Sequence, residues 1–372
     1  MQGAGLLADE GGHVSDQIEG AGKVRDEDAF DVDAVLAWLR EQGESIDGDV
    51  EVRQFGGGAS NLTYSIRTAG GEHPRDVILR RPPSGRKAKG AHDMGREYRI
   101  QAALKEPFGL VPTMVALCTD EAVIGSEFYV MERVDGIIPR RDLPPEVQLT
   151  ESQTRQLCEN ALDTLIALHR VDVTAPDLAA LGKGTGYVAR QVSGWSTRFR
   201  NAVTDDAPDL ESVMAWLDAN QPEDVGNCLI HNDFRFDNLV LDRDDPTKVV
   251  GVLDWEMATL GDPLMDLGGT IAYWVQGDDD EFMQLFRRQP THLPGMLTRA
   301  EVVQRYCATT GLTVTPEQWR FYEVFGVFRL AVIAQQIYYR YFHKQTTNEA
   351  YAVFGPAVTH LGARCEQLIA GH

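Results

Sequence analysis

Apolar positions change their spacing twice along the chain. After a Gly-, Asp- and Glu-rich start of about 28 residues with little apolar periodicity, the run DVDAVLAWLREQG places Val35, Leu36 and Leu39 at helical spacing. An Asp suited to capping precedes that run and a Gly follows it, so a mobile tail leading into a short helix is predicted. Between residues 50 and 80 the period shortens: VEVRQF, LTYSIRT and DVILRR, separated by GGGASN and a Gly-Gly turn, predict a meander of three strands. HDMGREYRIQAALKEP returns to helical spacing, with Tyr98, Ala102 and Leu104 expected inward and Pro107 as the stop. VALCTD and EFYVMERV add two strand-like pieces before a joint at Asp135 and Gly136. Beyond residue 150 helical patterns dominate, broken once by LVLDRDDPTKVVGVLD, whose alternation and Asp-Asp-Pro turn predict a β-hairpin with a loop at each end.

These elements predict an α+β chain in three parts: a flexible tail over 1–28, a β-rich lobe with one helix over 29–133, and a larger, mainly helical lobe over 134–372. A length of 372 residues suits one large domain or two packed lobes. The net charge of −21 argues against nucleic acid and anionic lipid as partners. The five cysteines lie at least thirty residues apart with no CxxC pair, which predicts reduced, mostly buried thiols and no zinc or disulfide framework. The first residues lack a basic start and an apolar core, and the stretch from Gly326 to Tyr339 is broken by Arg329 and too short to span a bilayer, so a cytoplasmic protein is expected.

The segment most informative about chemistry is LIHNDFRFDNLVLD, from Leu229 to Asp242. Asp233 and Asn238, five positions apart in a loop before a strand, resemble the catalytic loop of protein kinases, where the Asp orients the substrate hydroxyl and the Asn holds a metal. Magnesium wants oxygen ligands in octahedral array, and a loop between two buried strands holds carboxylate and amide rigidly together. The hairpin then ends at VVGVLDWEMATLGDP, which delivers Asp254 to a strand end, the place of the second metal-binding Asp in kinases. A loop Asp taken alone is most often a turn or cap residue; the joint pattern is far more specific. His231 reads as a loop brace and not a base, and Asp262 and Asp266, opening a helix, read as structural. The aromatic-rich stretch near the C-terminus reads as core, with Tyr338 and Arg340 as candidates for a substrate cleft.

HNDFRFDN and LDWE resemble the hallmark of the aminoglycoside phosphotransferase-like kinases, HGDxxxxN followed by apolar residues and D-[WFY]-E. Within that group, FGGGASN, VILRRPPSG, GREYRIQAAL, FYVMERVDG, VLDWEMATLGDPLMDLG and AQQIYYRY are similar to the kinase-type domain attached to, or encoded beside, certain acyl-CoA dehydrogenases, over about Phe55 to Cys365. The resemblance implies a protein-kinase-like bilobal fold with an antiparallel N-terminal sheet. It also implies transfer of the γ-phosphate of ATP or GTP to a small-molecule hydroxyl, with Asp233 as base and Mg2+ on Asn238 and Asp254. On the nucleotide side it implies a phosphate-covering loop at Gly56, Gly57 and Gly58, a segment that taken alone reads better as a plain hairpin turn. Arg80 stands where kinases carry a phosphate-pairing Lys, with Glu97 as its helical partner and Arg81 expected at the surface. Glu132, Arg133 and Val134 resemble the hinge whose backbone meets the base. Asn232 departs from the family's Gly, so a slightly different backbone before Asp233 is expected.

For the acceptor the resemblance implies a hydroxy acid or hydroxyacyl-CoA and a functional link to an acyl-CoA dehydrogenase. Arg86, Lys87 and Lys89 are then either contacts for phosphates or a solvated loop. Two further readings stay open. One is an aminoglycoside-type antibiotic kinase, whose cationic substrate the negative charge would attract. The other is a nucleotide-binding pseudokinase serving as an interaction module, against which the joint presence of Asp233, Asn238 and Asp254 speaks.

Overall fold

The computed structural model describes residues 20–56, 61–83 and 93–371. Gly57, Gly58, Arg86, Lys87 and Lys89 lie outside the described residues. The chain divides into two compact units, one within Met1–Gly95 and Met114–Arg133, the other comprising Arg96–Thr113 and Val134–His372.

The first unit contains β1 (Ala21–Gly22), α1 (Val32–Glu41), β2 (Asp49–Phe55), β3 (Leu62–Ala69), β4 (Asp76–Arg81), β5 (Met114–Cys118) and β6 (Phe128–Glu132). The strands form one antiparallel sheet in the order β1-β2-β3-β4-β6-β5. Asp31 caps α1, its carboxylate accepting from the Ala34 amide at 2.9 Å. Val35, Leu36 and Leu39 are buried as expected and share a core with Tyr64, Ile66, Leu79 and Phe128 of the sheet. Each such burial stabilises by roughly 1.5–3 kcal/mol.

Two expectations change here. Residues 21–28, read as tail, are built into the unit: β1 pairs with β2, and the buried Asp28 carboxylate accepts from Gln54 Nε2 at 2.8 Å and Arg25 Nε at 2.7 Å. Arg81, expected at the surface, is buried. Its Nη2 donates to the Asp28 carbonyl at 2.6 Å and to the Tyr64 hydroxyl at 3.1 Å, and its guanidinium lies 5.6 Å from the centre of the Phe30 ring. The segment that covers Arg81 is the one read as tail, which is why strand alternation alone left it exposed.

The second unit begins in α2 (Met94–Leu104) and continues through α3 (Glu151–His169), α4 (Pro176–Ala179), α5 (Tyr187–Asn201) and α6 (Glu211–Asn220). Four short strands follow, β7 (Cys228–Ile230), β8 (Leu239–Leu241), β9 (Val249–Val252) and β10 (Thr259–Gly261); β8 pairs with β9 as the expected hairpin and β7 pairs with β10. The unit closes with α7 (Pro263–Ala272), α8 (Glu281–Phe286), α9 (Arg299–Thr310), α10 (Pro316–Phe342) and α11 (Phe354–Ala370). The boundary differs from the one read in the sequence, because Ile100, Leu104 and Val111 are buried in this unit's core and not in the sheet's. Along α2 the buried face carries Glu97, Ile100, Gln101 and Leu104, while Ala102 is exposed and Tyr98 half-buried. Polar side chains on the inner face displaced the stripe that apolar spacing predicted.

The backbones of α7 and α10 touch. A Cβ added at Gly268 would stand 2.6 Å from the Tyr322 carbonyl oxygen, and one at Gly326 would strike the Gly268 carbonyl. This approach sets Asp266 on α7 and Arg329 on α10 against the loop that follows β7. All five cysteines are free, with Cys118, Cys158 and Cys365 buried. Among the described residues no helix is long and apolar enough to cross a membrane.

Candidate active site

β7 delivers the chain into a loop from His231 to Asn238, and that loop folds back on itself. The Nδ2 of Asn238 donates to the Asp233 carbonyl at 2.8 Å and to its carboxylate Oδ2 at 3.0 Å. His231 braces the turn as expected: its Nδ1 accepts from the Asp233 amide at 3.3 Å, and its Nε2 lies 3.0 Å from the Leu253 carbonyl. Its ring packs edge-on against Trp255 at 4.9 Å.

Asp266 holds the start of the loop from beneath. Its carboxylate accepts from the His231 amide at 2.8 Å and the Asn232 amide at 2.7 Å, and lies 3.1 Å from His169 Nε2. Burial alone would raise the Asp266 pKa; His169 and the backbone donors outweigh it and hold the carboxyl below its usual range. The His169 Nδ1 in turn meets the Tyr306 hydroxyl at 2.6 Å. Asp262 caps α7, accepting from the amides of Leu264 and Met265, so both acids act structurally as expected.

Asn232 stands at φ 63°, the left-handed conformation that a Gly adopts without penalty and that Asn tolerates better than most residues. Asn232 thus holds a left-handed turn here, and its side chain adds bonds of its own. Its Nδ2 donates to the Met257 carbonyl at 3.1 Å, its Oδ1 accepts from Tyr187 at 3.1 Å, and its carbonyl accepts from Arg329 Nη2 at 2.6 Å.

The second loop leaves β9 and is stitched to the first, the Leu253 amide donating to the Asn238 carbonyl at 2.8 Å. Asp254 follows at φ 67°, and the buried Trp255 anchors the turn through its indole N–H to the Val252 carbonyl at 2.9 Å. Arg96 on α2 clamps the far side, donating to the Glu256 carbonyl at 3.0 Å and to the Ala258 carbonyl. Among the described residues only Asn232, Asp254 and Lys344 combine a side chain with positive φ, and two of the three belong to these facing loops.

Arg235 also belongs to this site, though no motif position pointed to it. Its Nη2 donates to Asp233 Oδ2 at 3.2 Å and lies 3.4 Å from Asp237, its Nε is 3.1 Å from Asp233 Oδ1, and the guanidinium lies 4.6 Å from the centre of the Tyr273 ring. Burial works against its charge, but Asp233, Asp237 and Asp254 outweigh that and raise its pKa above the ordinary value. Burial likewise pushes the Asp237 carboxyl up, with Arg235 opposing. Gln289, fully buried, fixes the loop between them by accepting from the Phe236 amide at 2.9 Å and donating to the Tyr273 carbonyl at 3.0 Å. The available signal was a lone base between two acids in DFRFD; Arg96 and Gln289 had none, since their partners are distant in sequence.

On the nucleotide side, Gly56 follows β2, and among the described residues nothing lies within 4 Å of a Cβ added there, while Gly57 and Gly58 lie outside the described residues. Arg80 is half-buried in β4 of the first unit, and Glu97 is buried in the second. Glu132 pairs with Arg75 at 2.7 Å and Arg133 with Asp76 at 2.7 Å, and the boundary between the units falls between Arg133 and Val134. Among the described residues no three His, Cys, Asp or Glu side chains come together to hold a metal unaided. Magnesium carried on a nucleotide needs only one or two protein oxygens, the phosphates and water supplying the rest, and Asp254 with the Asn238 amide oxygen fits that demand.

Residues 51–302 match the phosphotransferase enzyme family. The chain is 35% identical over 319 residues to acyl-CoA dehydrogenase family member 10 of Mus musculus, covering 85% of this chain and 29% of that one. It is 31% identical over 345 residues to acyl-CoA dehydrogenase family member 11 of Homo sapiens, covering 91% and 43%. The chain thus spans less than half the length of these relatives. A Ralstonia eutropha protein assigned as an aminoglycoside phosphotransferase superimposes with a TM-score of 0.76 at 30% identity, over 91% of this chain and 98% of that one. Choline kinase of Cryptosporidium parvum superimposes with a TM-score of 0.63 at 11% identity, over 92% and 96%, a likeness of fold alone.

Proposed function

The chain belongs to the phosphotransferase enzyme family and is a small-molecule phosphotransferase, and within that class we propose that it moves the γ-phosphate of ATP to the hydroxyl of a hydroxy acid or its CoA ester. The observation that carries the reading is the contact of Asp233 with Asn238 in a loop bonded directly to the one that holds Asp254.

In this reading Asp233 receives the acceptor hydroxyl, orients it toward the γ-phosphorus and takes its proton. Positioning is the main resource in phosphoryl transfer, so the value of the loop lies in its rigidity. Asp266, His231 and Gln289 supply that rigidity from three sides. Asn238 turns its N–H toward Asp233 and offers its amide oxygen, with Asp254, to the cation. Bound Mg2+ neutralises charge on the β- and γ-phosphates. Arg80, Glu97 and the Gly56 loop serve the phosphates, and the backbone of Glu132 and Val134 serves the base.

The acyl acceptor is supported by the names of the relatives at 35% and 31% identity. An aminoglycoside-type acceptor is the second reading, on the strength of the Ralstonia eutropha neighbour. A nucleotide-binding interaction module without chemistry is disfavoured because Asp233, which nucleotide binding does not need, is held in place by Asn238 and Arg235. The test is γ-phosphate transfer to a panel of hydroxyacyl-CoAs, free hydroxy acids, amino alcohols and aminoglycosides. Turnover of aminoglycosides with none of any hydroxyacyl compound would reverse the ranking.

A further inference from the structure

In a chain of net charge −21, two Arg-Arg pairs meet beside the Asp233 loop. Ile137 exchanges backbone bonds with Leu241 at 2.8 and 2.7 Å, which sets the following Pro139, Arg140 and Arg141 along the strand that leaves Asn238. From the other direction, Gln289 bonds the Phe236 amide and so ties Arg287 and Arg288 to the same loop. The two pairs touch: Arg287 donates to the Arg141 carbonyl, and its Nη2 meets Asp142 at 2.8 Å.

Within each pair one arginine is spent on structure. Arg287 is buried, and Arg141 donates to the Gln284 and Leu285 carbonyls that end α8. The other two, Arg140 and Arg288, are exposed and make no hydrogen bond or ion pair among the described residues. Of the acids nearby, Asp142 is engaged by Arg287 and Asp237, through one oxygen, by Arg235. Arg140 is close enough to Asp237 to act on its charge. Two buried polar atoms in the same neighbourhood, His292 Nδ1 and Asp237 Oδ1, have no hydrogen-bond partner. Burial and then the charge of Arg287 keep His292 below its ordinary pKa, with Asp142 opposing.

We infer that Arg140 and Arg288 form an anion subsite of the acceptor pocket, receiving a carboxylate or phosphate of the substrate whose hydroxyl lies on Asp233. Unpaired guanidinium forks suit such oxygens bidentately. The inference rests on the reading of Asp233 as the acceptor's partner, and it relocates the acceptor's anionic handle from Arg86, Lys87 and Lys89 to the unit that holds Asp233.

The experiment compares R140A/R288A and R140K/R288K with the unaltered protein on three acceptors: a hydroxybutyrate, its CoA ester, and the uncharged butanediol of the same skeleton. The alanine pair is expected to raise KM for the anionic acceptors about tenfold or more, as loss of charge-assisted hydrogen bonds requires. KM for butanediol and for the nucleotide should stay put, and the lysine pair should recover part of the loss. An effect on the acid alone identifies the carboxylate as the handle, and one on the ester alone identifies the CoA phosphates. Normal turnover with equal effects on all three acceptors, or with none, overturns the subsite while leaving the kinase reading intact. If the unaltered protein turns over none of the three, the acyl reading fails, and titration with CoA decides the subsite. Salt-sensitive binding weakened about tenfold in R140A/R288A upholds it, and unchanged or absent binding overturns it.

Discussion

Asn238 donates its side-chain amide to the Asp233 carboxylate at 3.0 Å, which fixes the amide oxygen on the side away from that carboxylate. In the proposed mechanism one residue thus orients the group assigned to the acceptor and offers an oxygen to the cation on the nucleotide. The bond from the Leu253 amide to the Asn238 carbonyl carries the same register to Asp254.

Asp233→Asn should remove most turnover, on the order of a hundredfold or more for a positioned base, while nucleotide affinity stays near normal. In the proposed mechanism the carboxylate acts on the hydroxyl and not on the triphosphate. Steady-state rates with calorimetric nucleotide binding check this, and near-normal kcat would sink the assignment.

Asp254→Ala should lower both rate and magnesium-dependent nucleotide affinity, because removing the proposed ligand would leave phosphate charge uncompensated. The effect should vanish when binding is measured without magnesium. Unchanged affinity with magnesium present would move the metal role elsewhere.

The parts of this site that the sequence made legible are those set by short-range spacing. Asp233, Asn238 and Asp254 belong to two loops joined by a single hairpin, so the interval between them carries the geometry. What escaped depends on partners far along the chain. Arg96 reaches carbonyls 160 and 162 residues away, and Gln289 reaches an amide 53 residues away. Arg81 looked exposed because its cover comes from residues 25–30, a stretch too polar to read as structure. In α2 the inner face carries Glu97 and Gln101, so an apolar count chose the wrong stripe.

Asn232→Gly should fold and keep most activity, since Gly needs no left-handed strain and only the Met257 and Tyr187 bonds are lost. Asn232→Val keeps neither advantage. A β-branched residue at φ 63° adds roughly 1–2 kcal/mol of strain, and the Tyr187 hydroxyl loses its partner in both variants. Denaturant midpoints and kcat should both rank Gly above Val; the reverse order would mean that the left-handed turn is not what this position requires.

Asp266→Asn should cost about 3–5 kcal/mol near neutral pH, the usual penalty for removing one member of a buried charged network. The pH dependence gives a separate test. Because the folded carboxyl sits below its usual range, its stabilisation is present above the unfolded pKa of about 4 and is lost as pH falls through the lower folded value. The variant's stability should therefore fall less steeply below about pH 4 than that of the unaltered protein. Parallel acid limbs in the two unfolding profiles would remove the claim.

Arg96→Ala tests whether the Asp254 loop is held from α2. The guanidinium spans the Glu256 and Ala258 carbonyls, on the far side of Asp254 from the Leu253 bond, so the loop is pinned at both ends. Releasing one end lets Asp254 leave its left-handed conformation, which is costly to hold and kept only by its surroundings. Hydrogen bonds from a charged donor contribute about 1.5–3 kcal/mol each, so the magnesium concentration for half-maximal rate should rise about tenfold or more. Acceptor KM should change little, because the Asp233 loop keeps its own supports from Asp266, His231 and Gln289. Arg96→Lys, with one compact donor group in place of the fork, should recover part of the effect. A magnesium titration unchanged in Arg96→Ala, with the fold intact by circular dichroism, would show that the loop holds its shape without α2.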